Sequence, residues 1–182
     1  MATVLEVEFI KALHLLDGRS VKEVANWLIN NSSADNEQVF QFACCSDYAN
    51  LALAKCLLQM KPDIDISAHN HVAFRGACEK GRLDIAKWLL QMKPNMDISD
   101  FNNGFYWACS EGHLEVAQWL LKEKPNINIS ANNEIIFRLA CYHGHLAVVK
   151  WLLKVNPNIG ISFDNEYIDN VKENFVEFMN VL

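Results

Sequence analysis

The chain has 182 residues, of which 51% are apolar, and this composition excludes the intrinsically disordered class. A formal net charge of −6, with Lys and Arg scattered along the chain, argues against a binder of nucleic acid or of anionic membranes. No apolar run approaches the roughly 20 residues that span a bilayer. Glu6 and Glu8 interrupt the apolar N-terminus, which lacks a basic lead-in, so we expect no signal peptide and a cytoplasmic location.

The first elements in chain order are two helices. Residues 3–17 have apolar side chains at helical spacing, at Leu5, Phe9, Leu13 and Leu16. A second helix is predicted from Ser20 to about Asn30, with Ser20 as N-cap and Glu23 completing a capping box. This pair is predicted to form a degenerate N-terminal capping repeat over residues 1–38, since terminal repeats are usually atypical.

The remaining chain repeats itself with a period marked by all four prolines. Pro62, Pro94, Pro125 and Pro157 are 32, 31 and 32 residues apart, which is typical of stacked supersecondary units. Each unit is predicted to contain a short inner helix, a turn and a longer outer helix. The boundaries are 39–71, 72–103, 104–134 and 135–166 for repeats 1 to 4, and 167–182 for an amphipathic C-terminal capping helix, all in one continuous array.

The turns between the paired helices are predicted at Gly81, Gly112 and Gly144. Repeat 1 has no such glycine and carries two extra residues here, because Ala43 and Pro62 are 19 residues apart where Ala77 and Pro94 are 17 apart.

The outer helices are predicted to end at the residue before each proline, which is disfavoured in the α region. The stretch after each proline alternates polar and apolar residues and is expected to be extended. Polar finger tips then follow at residues 68–71, 100–103, 131–134 and 163–166.

Four cysteines occupy one equivalent position, each directly after an alanine: Cys44, Cys78, Cys109 and Cys141. Equivalent positions in stacked helices lie roughly 10 Å apart, too far for a disulfide or for a shared zinc ion. We therefore expect small buried side chains. A similar ladder of tryptophans on the outer helices is expected to pack between repeats, with an aromatic binding strip as the alternative: Trp27, Trp88, Trp119 and Trp151.

The pattern Ala-Cys-x-x-Gly-His-Leu-Glu-Val-Ala-x-Trp-Leu-Leu at residues 108–121 resembles the ankyrin repeat's Ala-Ala-x-x-Gly-His-Leu-x-x-Val-x-x-Leu-Leu. The resemblance covers about residues 39–162, with a partial match over 20–36. It implies an all-α ankyrin-repeat solenoid of stacked helix-turn-helix units with terminal capping helices. The family's Thr-Pro-Leu-His is replaced, for example by Val72-Ala73-Phe74-Arg75, so the finger geometry is expected to differ.

The sequence pattern Lys-Pro-Asn-Ile-x-Ile-Ser, together with Trp-Leu-Leu, resembles the ankyrin arrays that large DNA viruses carry in many copies. A viral origin would make the partner a host protein, met in the host cytoplasm.

By family analogy, a partner protein is expected to bind at inner-helix positions facing the concave side. The pairs there differ between repeats, and Trp107 stands where other repeats have Gly76 and Leu139, although it is alternatively a core residue. With Phe101 at a finger tip, the predicted partner-binding residues are Glu79, Lys80, Phe101, Trp107, Ser110, Glu111, Tyr142 and His143.

No catalytic residue, metal ligand or cofactor is predicted. The chain lacks a phosphate-binding glycine loop, a Gly-x-Ser-x-Gly elbow, His-Glu-x-x-His and Cys-x-x-Cys, and His69-x-His71 alone is a weak metal signal. We expect a monomeric, non-catalytic protein–protein interaction module without nucleic acid or membrane partners. The alternatives are an adaptor recruiting host ubiquitin-ligase machinery, which would need a second module such as an F-box, and a metal- or thiol-dependent enzyme.

Overall fold

A computed structural model describes residues 4–15, 20–129, 131–157 and 159 of the chain. All regular secondary structure in this part of the chain is α-helical, in agreement with the predicted all-α class. The helices are α1 Val4–Leu15, α2 Val21–Asn31, α3 Asn36–Cys45, α4 Leu51–Met60, α5 Ala68–Glu79, α6 Leu83–Met92, α7 Ile98–Ser110, α8 Leu114–Glu123, α9 Ala131–Tyr142 and α10 Leu146–Val155.

The chain divides into two compact units, unit 1 (Met1–Met96) and unit 2 (Asp97–Leu182). In unit 1, successive helices pair as α1 with α2, α3 with α4 and α5 with α6, and α3 also packs against both α1 and α5. In unit 2, α7 pairs with α8 and α9 with α10, while α7 packs against α9. Each unit thus stacks its helix pairs through its inner helices, and in unit 1 the outer helices α2 and α4 pack against each other as well.

Side-chain caps explain where several helices begin. Ser20 and Glu23 form the predicted capping box of α2, with the Glu23 carboxylate accepting a 2.9 Å hydrogen bond from the Ser20 amide. Asp35 and Gln38 form a second capping box on α3. Asp97 caps α7 by accepting from the Ser99 amide. Each cap satisfies amide groups that have no partner inside the helix.

The outer helices end where the prolines require it. Their C-caps have φ between −131° and −134° and ψ between 75° and 86°, outside the α region, as expected for residues that precede proline. These C-caps are the predicted residues Lys61, Lys93, Lys124 and Asn156. A turn follows each proline, and the first apolar residue after it is buried, at Ile64, Met96, Ile127 and Ile159.

Three of the turns between helices use the left-handed conformation that favours glycine. Gly81, Gly112 and Gly144 have φ of 68°, 82° and 74°. At Gly112 a Cβ atom would also lie 2.5 Å from Nδ1 of His145, so this turn has no room for a side chain. The predicted glycine turns are confirmed.

The inner helices begin earlier than the sequence analysis expected. Helix α7 starts at Ile98 and α9 at Ala131, so residues 100–103 and 131–134 belong to helices and are not finger tips. In α5 the backbone of His69, Asn70 and His71 is left-handed, with φ of 54°, 56° and 55°, which makes a distorted entry to that helix. The proposed repeat boundaries therefore fall inside the inner helices, and the predicted helix 167–182 and tip 163–166 lie outside the described residues.

Candidate partner-binding surface

In unit 1 the predicted surface residues lie at the end of α5. Glu79 is half-buried and Lys80, its C-cap, is exposed. The ammonium of Lys80 lies 3.1 Å from a carboxylate oxygen of Asp47, in the turn between α3 and α4. The guanidinium of Arg82 donates a 2.9 Å hydrogen bond to the carbonyl oxygen of the same Asp47. The end of α5 is therefore tied to the preceding repeat by charged groups.

The contact between α3 and α5 is close because Gly76 has no side chain. A Cβ atom at this position would lie 2.3 Å from the Cβ of Cys45. The equivalent positions in unit 2 are Trp107 and Leu139, so the inner helices of the two units carry side chains of different size at the same repeat position. The small residue in unit 1 serves helix packing, and the large Trp107 in unit 2 is available for other contacts.

In unit 2 the ends of α7 and α9 are joined by a histidine. His143 donates from Nδ1 to the carbonyl oxygen of Ser110, with 2.9 Å between the two atoms, and this contact sets the tautomer of the neutral ring. The His143 ring also lies 5.3 Å from the Tyr142 ring and 5.8 Å from the His145 ring, centroid to centroid. Tyr142 is 52% exposed, so it is held beside an anchored histidine at the surface.

Trp107 is half-buried and is therefore neither a full core residue nor a freely exposed one. Its ring contacts the ring of Tyr106 edge to face, with centroids 5.0 Å apart. Glu111, one helical turn further along, is exposed. These side chains place aromatic surface and a carboxylate together at the C-terminal end of α7.

Two of the predicted surface residues are buried, and their expected exposure is wrong. Phe101 is 0% exposed, because the early start of α7 places it one turn before the equally buried Phe105. The ammonium nitrogen of Lys124 lies 5.2 Å from the centroid of the Phe101 ring. Ser110 is 2% exposed, and its carbonyl oxygen is occupied by His143. Neither side chain is available to a partner.

Two tryptophans of the outer helices, Trp88 and Trp151, pack between repeats as predicted. The ring centroid of Trp88 lies 6.2 Å from that of Phe40, on the inner helix of the preceding repeat. The ring centroid of Trp151 likewise lies 6.0 Å from that of Phe105. Their rings are nevertheless half-buried, and the Lys55 ammonium lies 5.9 Å from the Trp88 ring centroid. Trp88 and Trp151 are therefore mainly packing residues that each keep part of the ring exposed.

Three of the four equivalent cysteines, Cys44, Cys78 and Cys109, are buried in the core as expected, whereas Cys141 is half-buried. Burial raises the pKa of Cys44, Cys78 and Cys109 well above the ordinary value, and that of Cys141 to about 12. Burial, with a further contribution from the nearby Glu79 carboxylate, raises the pKa of Cys45 to about 11. These thiols stay protonated at neutral pH, and a protonated thiol is a poor nucleophile and metal ligand.

Within the part of the chain that the structure describes, no three His, Cys, Asp or Glu side chains are grouped so that they could hold a metal ion. None of the helices described there is long and apolar enough to cross a membrane.

One surface feature was not among the predicted site residues. Tyr48 is 39% exposed and lies in the longer turn of repeat 1, next to Asp47. The sequence did contain a signal, the two extra residues between Ala43 and Pro62, but nothing in the pattern showed that the turn is ordered by contacts from the next repeat.

Comparison with protein families identifies the repeats directly. Residues 77–163 match the family model described as ankyrin repeats in three copies. Comparison with curated proteins gives no match.

The helix pairs and glycine turns define an all-α fold of stacked helical repeats, and residues 77–163 of the chain are similar to ankyrin repeats. Ankyrin repeats are generally protein–protein interaction modules, and the family is typically non-catalytic.

Proposed function

We propose that this chain is a non-catalytic interaction module that binds a partner protein through its inner-helix surfaces. The observation that carries the proposal is a contrast within the repeat. The Ala-Cys core positions are nearly constant, whereas the positions beside them change from repeat to repeat. Apart from the buried Ser110, these variable positions are at least partly exposed, at Glu79, Lys80, Trp107, Glu111, Tyr142 and His143. The constant positions serve packing, and the variable ones are free to serve recognition.

The chemistry of the variable positions supports this assignment. Protein interfaces are enriched in aromatic residues, and truncation of a buried Trp or Tyr anchor is often the most costly change. Trp107 and Tyr142 provide such anchors in unit 2, and Glu111 and His143 provide polar groups beside them. In unit 1 the corresponding groups are the charged side chains of Glu79 and Lys80.

An enzyme using the cysteines is a poorer fit. The thiols of Cys45 and Cys141 have pKa values of about 11 and 12, so almost no thiolate is present at neutral pH. A binding module requires no reactive thiol, and its cysteines are expected to react slowly with a thiol reagent in the native state.

The finer parts of the proposal follow from the sequence. The module acts as a monomer in the cytoplasm and does not bind nucleic acid or membranes. Its resemblance to the ankyrin arrays of large DNA viruses makes a host protein the expected partner. Recruitment of ubiquitin-ligase machinery is the second candidate, and a ligase subunit among captured proteins would favour it.

The test is affinity capture from eukaryotic cell lysate followed by mass spectrometry. The wild type is compared with a Trp107→Ala, Tyr142→Ala variant and with a control, Gln118→Ala, on the exposed side of the outer helix α8. All three must give the same helical circular dichroism spectrum. We expect a protein that the wild type and the control capture and the double variant loses. Equal capture by all three would move the site away from the inner helices, and no specific capture would contradict the proposed function.

A further inference from the structure

Within unit 2, repeat 4 covers the end of the inner helix of repeat 3. Ser110 is 2% exposed, and its carbonyl oxygen is hydrogen-bonded to His143. A Cβ atom at Gly112, in the turn that follows, would lie 2.5 Å from Nδ1 of His145. The residue after the repeat cysteine and the turn glycine therefore mark the side of a helix pair that the next repeat covers.

The same two positions in repeat 4 are open. Tyr142, the equivalent of Ser110, is 52% exposed. Apart from the neighbours of Gly144 in the chain, no atom of the described residues lies within 4 Å of a Cβ built on this glycine, the equivalent of Gly112. Repeat 4 thus lacks, on this side, the cover that it gives to repeat 3.

Two further pairs of equivalent residues show the same contrast. Cys109 is buried, whereas Cys141 is half-buried. Leu114 is half-buried, whereas Leu146 is 50% exposed. We name this open side of repeat 4 the end face, formed by Cys141, Tyr142, Gly144 and Leu146. Its side chains are largely apolar, and burying them against another helix is favourable.

The path of the chain favours an occupant from the chain itself. After the outer helix of repeat 3, the Ile127 amide donates to the Lys124 carbonyl oxygen at 3.2 Å, and the chain returns to form α9 against α7. After the outer helix of repeat 4, the Ile159 amide donates to the Asn156 carbonyl oxygen, also at 3.2 Å, and Ile159 is buried. The same turn therefore favours a return of residues 160–182, named the C-terminal segment, to the place of a further inner helix.

The C-terminal segment has a sequence suited to this place. Residues 167–182 are predicted to form an amphipathic helix, and this stretch is longer than the 13-residue inner helix α7. Its apolar residues recur at helical spacing on one side of such a helix: Ile168, Val171, Phe175, Phe178, Met179 and Leu182. That side is suited to cover an apolar face.

Alignment of the repeats places Val171 opposite Tyr142. In unit 1, Cys45 is the equivalent of Tyr142, and it packs so closely on the next inner helix that a Cβ at Gly76 would clash with it. Gly76 and Val171 both come nine residues after the serine of an Ile-x-Ile-Ser motif. Val171 is therefore expected to meet Tyr142 as Gly76 meets Cys45.

The charges of the two surfaces are complementary. Residues 135–159 contain three cationic side chains and no Asp or Glu: Arg138, Lys150 and Lys154. The C-terminal segment contains one lysine, Lys172, and five acidic residues: Asp164, Glu166, Asp169, Glu173 and Glu177. Opposite net charge favours their association.

We infer that the C-terminal segment docks on the end face of repeat 4, with its apolar side against Tyr142 and Leu146. The docked segment limits access to Tyr142, so it competes with a partner protein for this residue and regulates the candidate surface. The competition rests on the proposed function, whereas the docking does not.

The first measurement is the rate at which iodoacetamide alkylates Cys141 in the folded full chain, followed by peptide mass spectrometry. Val171→Glu with Phe175→Glu places two carboxylates on the apolar side of the segment, and Asn170→Glu with Asn180→Glu adds the same charge on its polar side. We expect the first variant to raise the Cys141 rate about threefold or more, because undocking exposes the thiol. The matched control should leave the rate as in wild type.

The buried Cys109 reports whether the helix stack stays intact, and its alkylation rate should be the same in all three proteins. Equal Cys141 rates in the three proteins would overturn the docking and leave the proposed function standing. A Cys141 rate that rises when the wild type is diluted would assign the end face to a second copy of the chain, and would overturn the inference as well.

A crosslink decides the matter if the glutamates also speed alkylation of Cys109. Tyr142→Cys with Val171→Cys should form a disulfide within one chain on mild oxidation, because a disulfide requires Cα atoms within about 7 Å. Tyr142→Cys with Glu173→Cys, on the opposite side of the predicted helix, is the matched control and should not form one. Equal crosslinking in both proteins, or none in the first, would contradict the docking.

Affinity capture with the wild type and the two glutamate variants tests the competition. The undocked variant, Val171→Glu with Phe175→Glu, should capture severalfold more partner than the matched control. Equal capture together with faster alkylation of Cys141 would overturn the competition alone. Capture of no specific protein by any of the three would contradict the proposed function, while the alkylation rates would still decide the docking.

Discussion

At the scale of single residues, the equivalent cysteines show how one small side chain serves several repeats. Cys78 on the inner helix α5 is 0% exposed, next to the equally buried Ala77. Small side chains at both positions let neighbouring helices approach closely, and burial of the thiol contributes as burial of a small apolar group does. The ionisation of this thiol couples the fold to pH, because the charged form cannot be accommodated in the core.

We predict that Cys78 destabilises the protein at alkaline pH. Burial raises the pKa of Cys78 in the folded chain far above the ordinary value of 9.0, so above pH 9 the unfolded chain loses a proton that the folded chain keeps. Stability from this group is complete below pH 9 and falls as pH rises, by about 1 kcal/mol at pH 10. Urea denaturation at pH 8 and pH 10 should therefore show that the free energy of unfolding falls less between the two pH values for Cys78→Ala than for wild type.

The comparison between the two proteins is needed because lysines and tyrosines also ionise in this pH range. Their contributions are common to wild type and Cys78→Ala and cancel in the difference. Equal losses of stability in both proteins would show that the Cys78 thiol is not protected from ionisation in the folded state.

At the scale of helices, close packing at one glycine explains the contact between α3 and α5. A Cβ at Gly76 would lie 2.3 Å from the Cys45 Cβ, a distance that requires the helices to move apart. Gly76 lies in the regular part of α5, where alanine is the better helix former by about 1 kcal/mol. Intrinsic propensity and tertiary packing therefore oppose each other here.

We predict that packing wins and that Gly76→Ala destabilises the protein. Overpacking of a close contact costs typically 1–3 kcal/mol, which exceeds the gain in helix propensity. Thermal denaturation should show a melting temperature several degrees below that of wild type. Gln91→Ala, at an exposed position of α6, is the matched control and should change stability by less than about 0.5 kcal/mol. A Gly76→Ala protein more stable than wild type would mean that α3 and α5 are further apart than the structure shows.

The elements that could be predicted are those controlled by local chemistry. Proline fixed the ends of the outer helices, and the capping box of Ser20 and Glu23 fixed the start of α2. The starts of the inner helices were predicted too late, because Asn and Asp favour both turns and helix N-termini. Burial of Phe101 decided between these possibilities in α7, and such a tertiary contact is not visible in a local pattern.

At the scale of the whole molecule, the two units differ in charge. Residues 1–96 contain ten Lys and Arg and eleven Asp and Glu, whereas residues 97–182 contain six Lys and Arg and eleven Asp and Glu.

Comparison of the repeats could select the variable positions of the candidate surface, and six of the eight selected residues are partly or fully exposed. It could not show that Phe101 and Ser110 are buried or that Tyr48 is presented, because exposure depends on neighbouring repeats.

The charge distribution leads to a prediction about nucleic acid. Non-specific binding to DNA comes from clustered Lys and Arg that displace counterions from phosphates, and it weakens steeply with salt. With a net charge of −6 and fewer cations than anions in both units, the chain should not bind duplex DNA even at low salt. Fluorescence anisotropy of a labelled duplex at 50 mM salt should remain unchanged up to about 100 μM protein.

The matched control reverses charge at one surface without touching the core. Glu111→Lys with Glu115→Lys alters two exposed carboxylates of unit 2 and raises the net charge from −6 to −2, since each change adds two positive units. This variant should still show at most weak binding that disappears by 200 mM salt, because two cations release few counterions. If the wild type bound DNA at micromolar concentration in a salt-dependent way, folding would have to bring its scattered Lys and Arg together into a basic surface. That result would contradict the proposal that the chain binds only proteins.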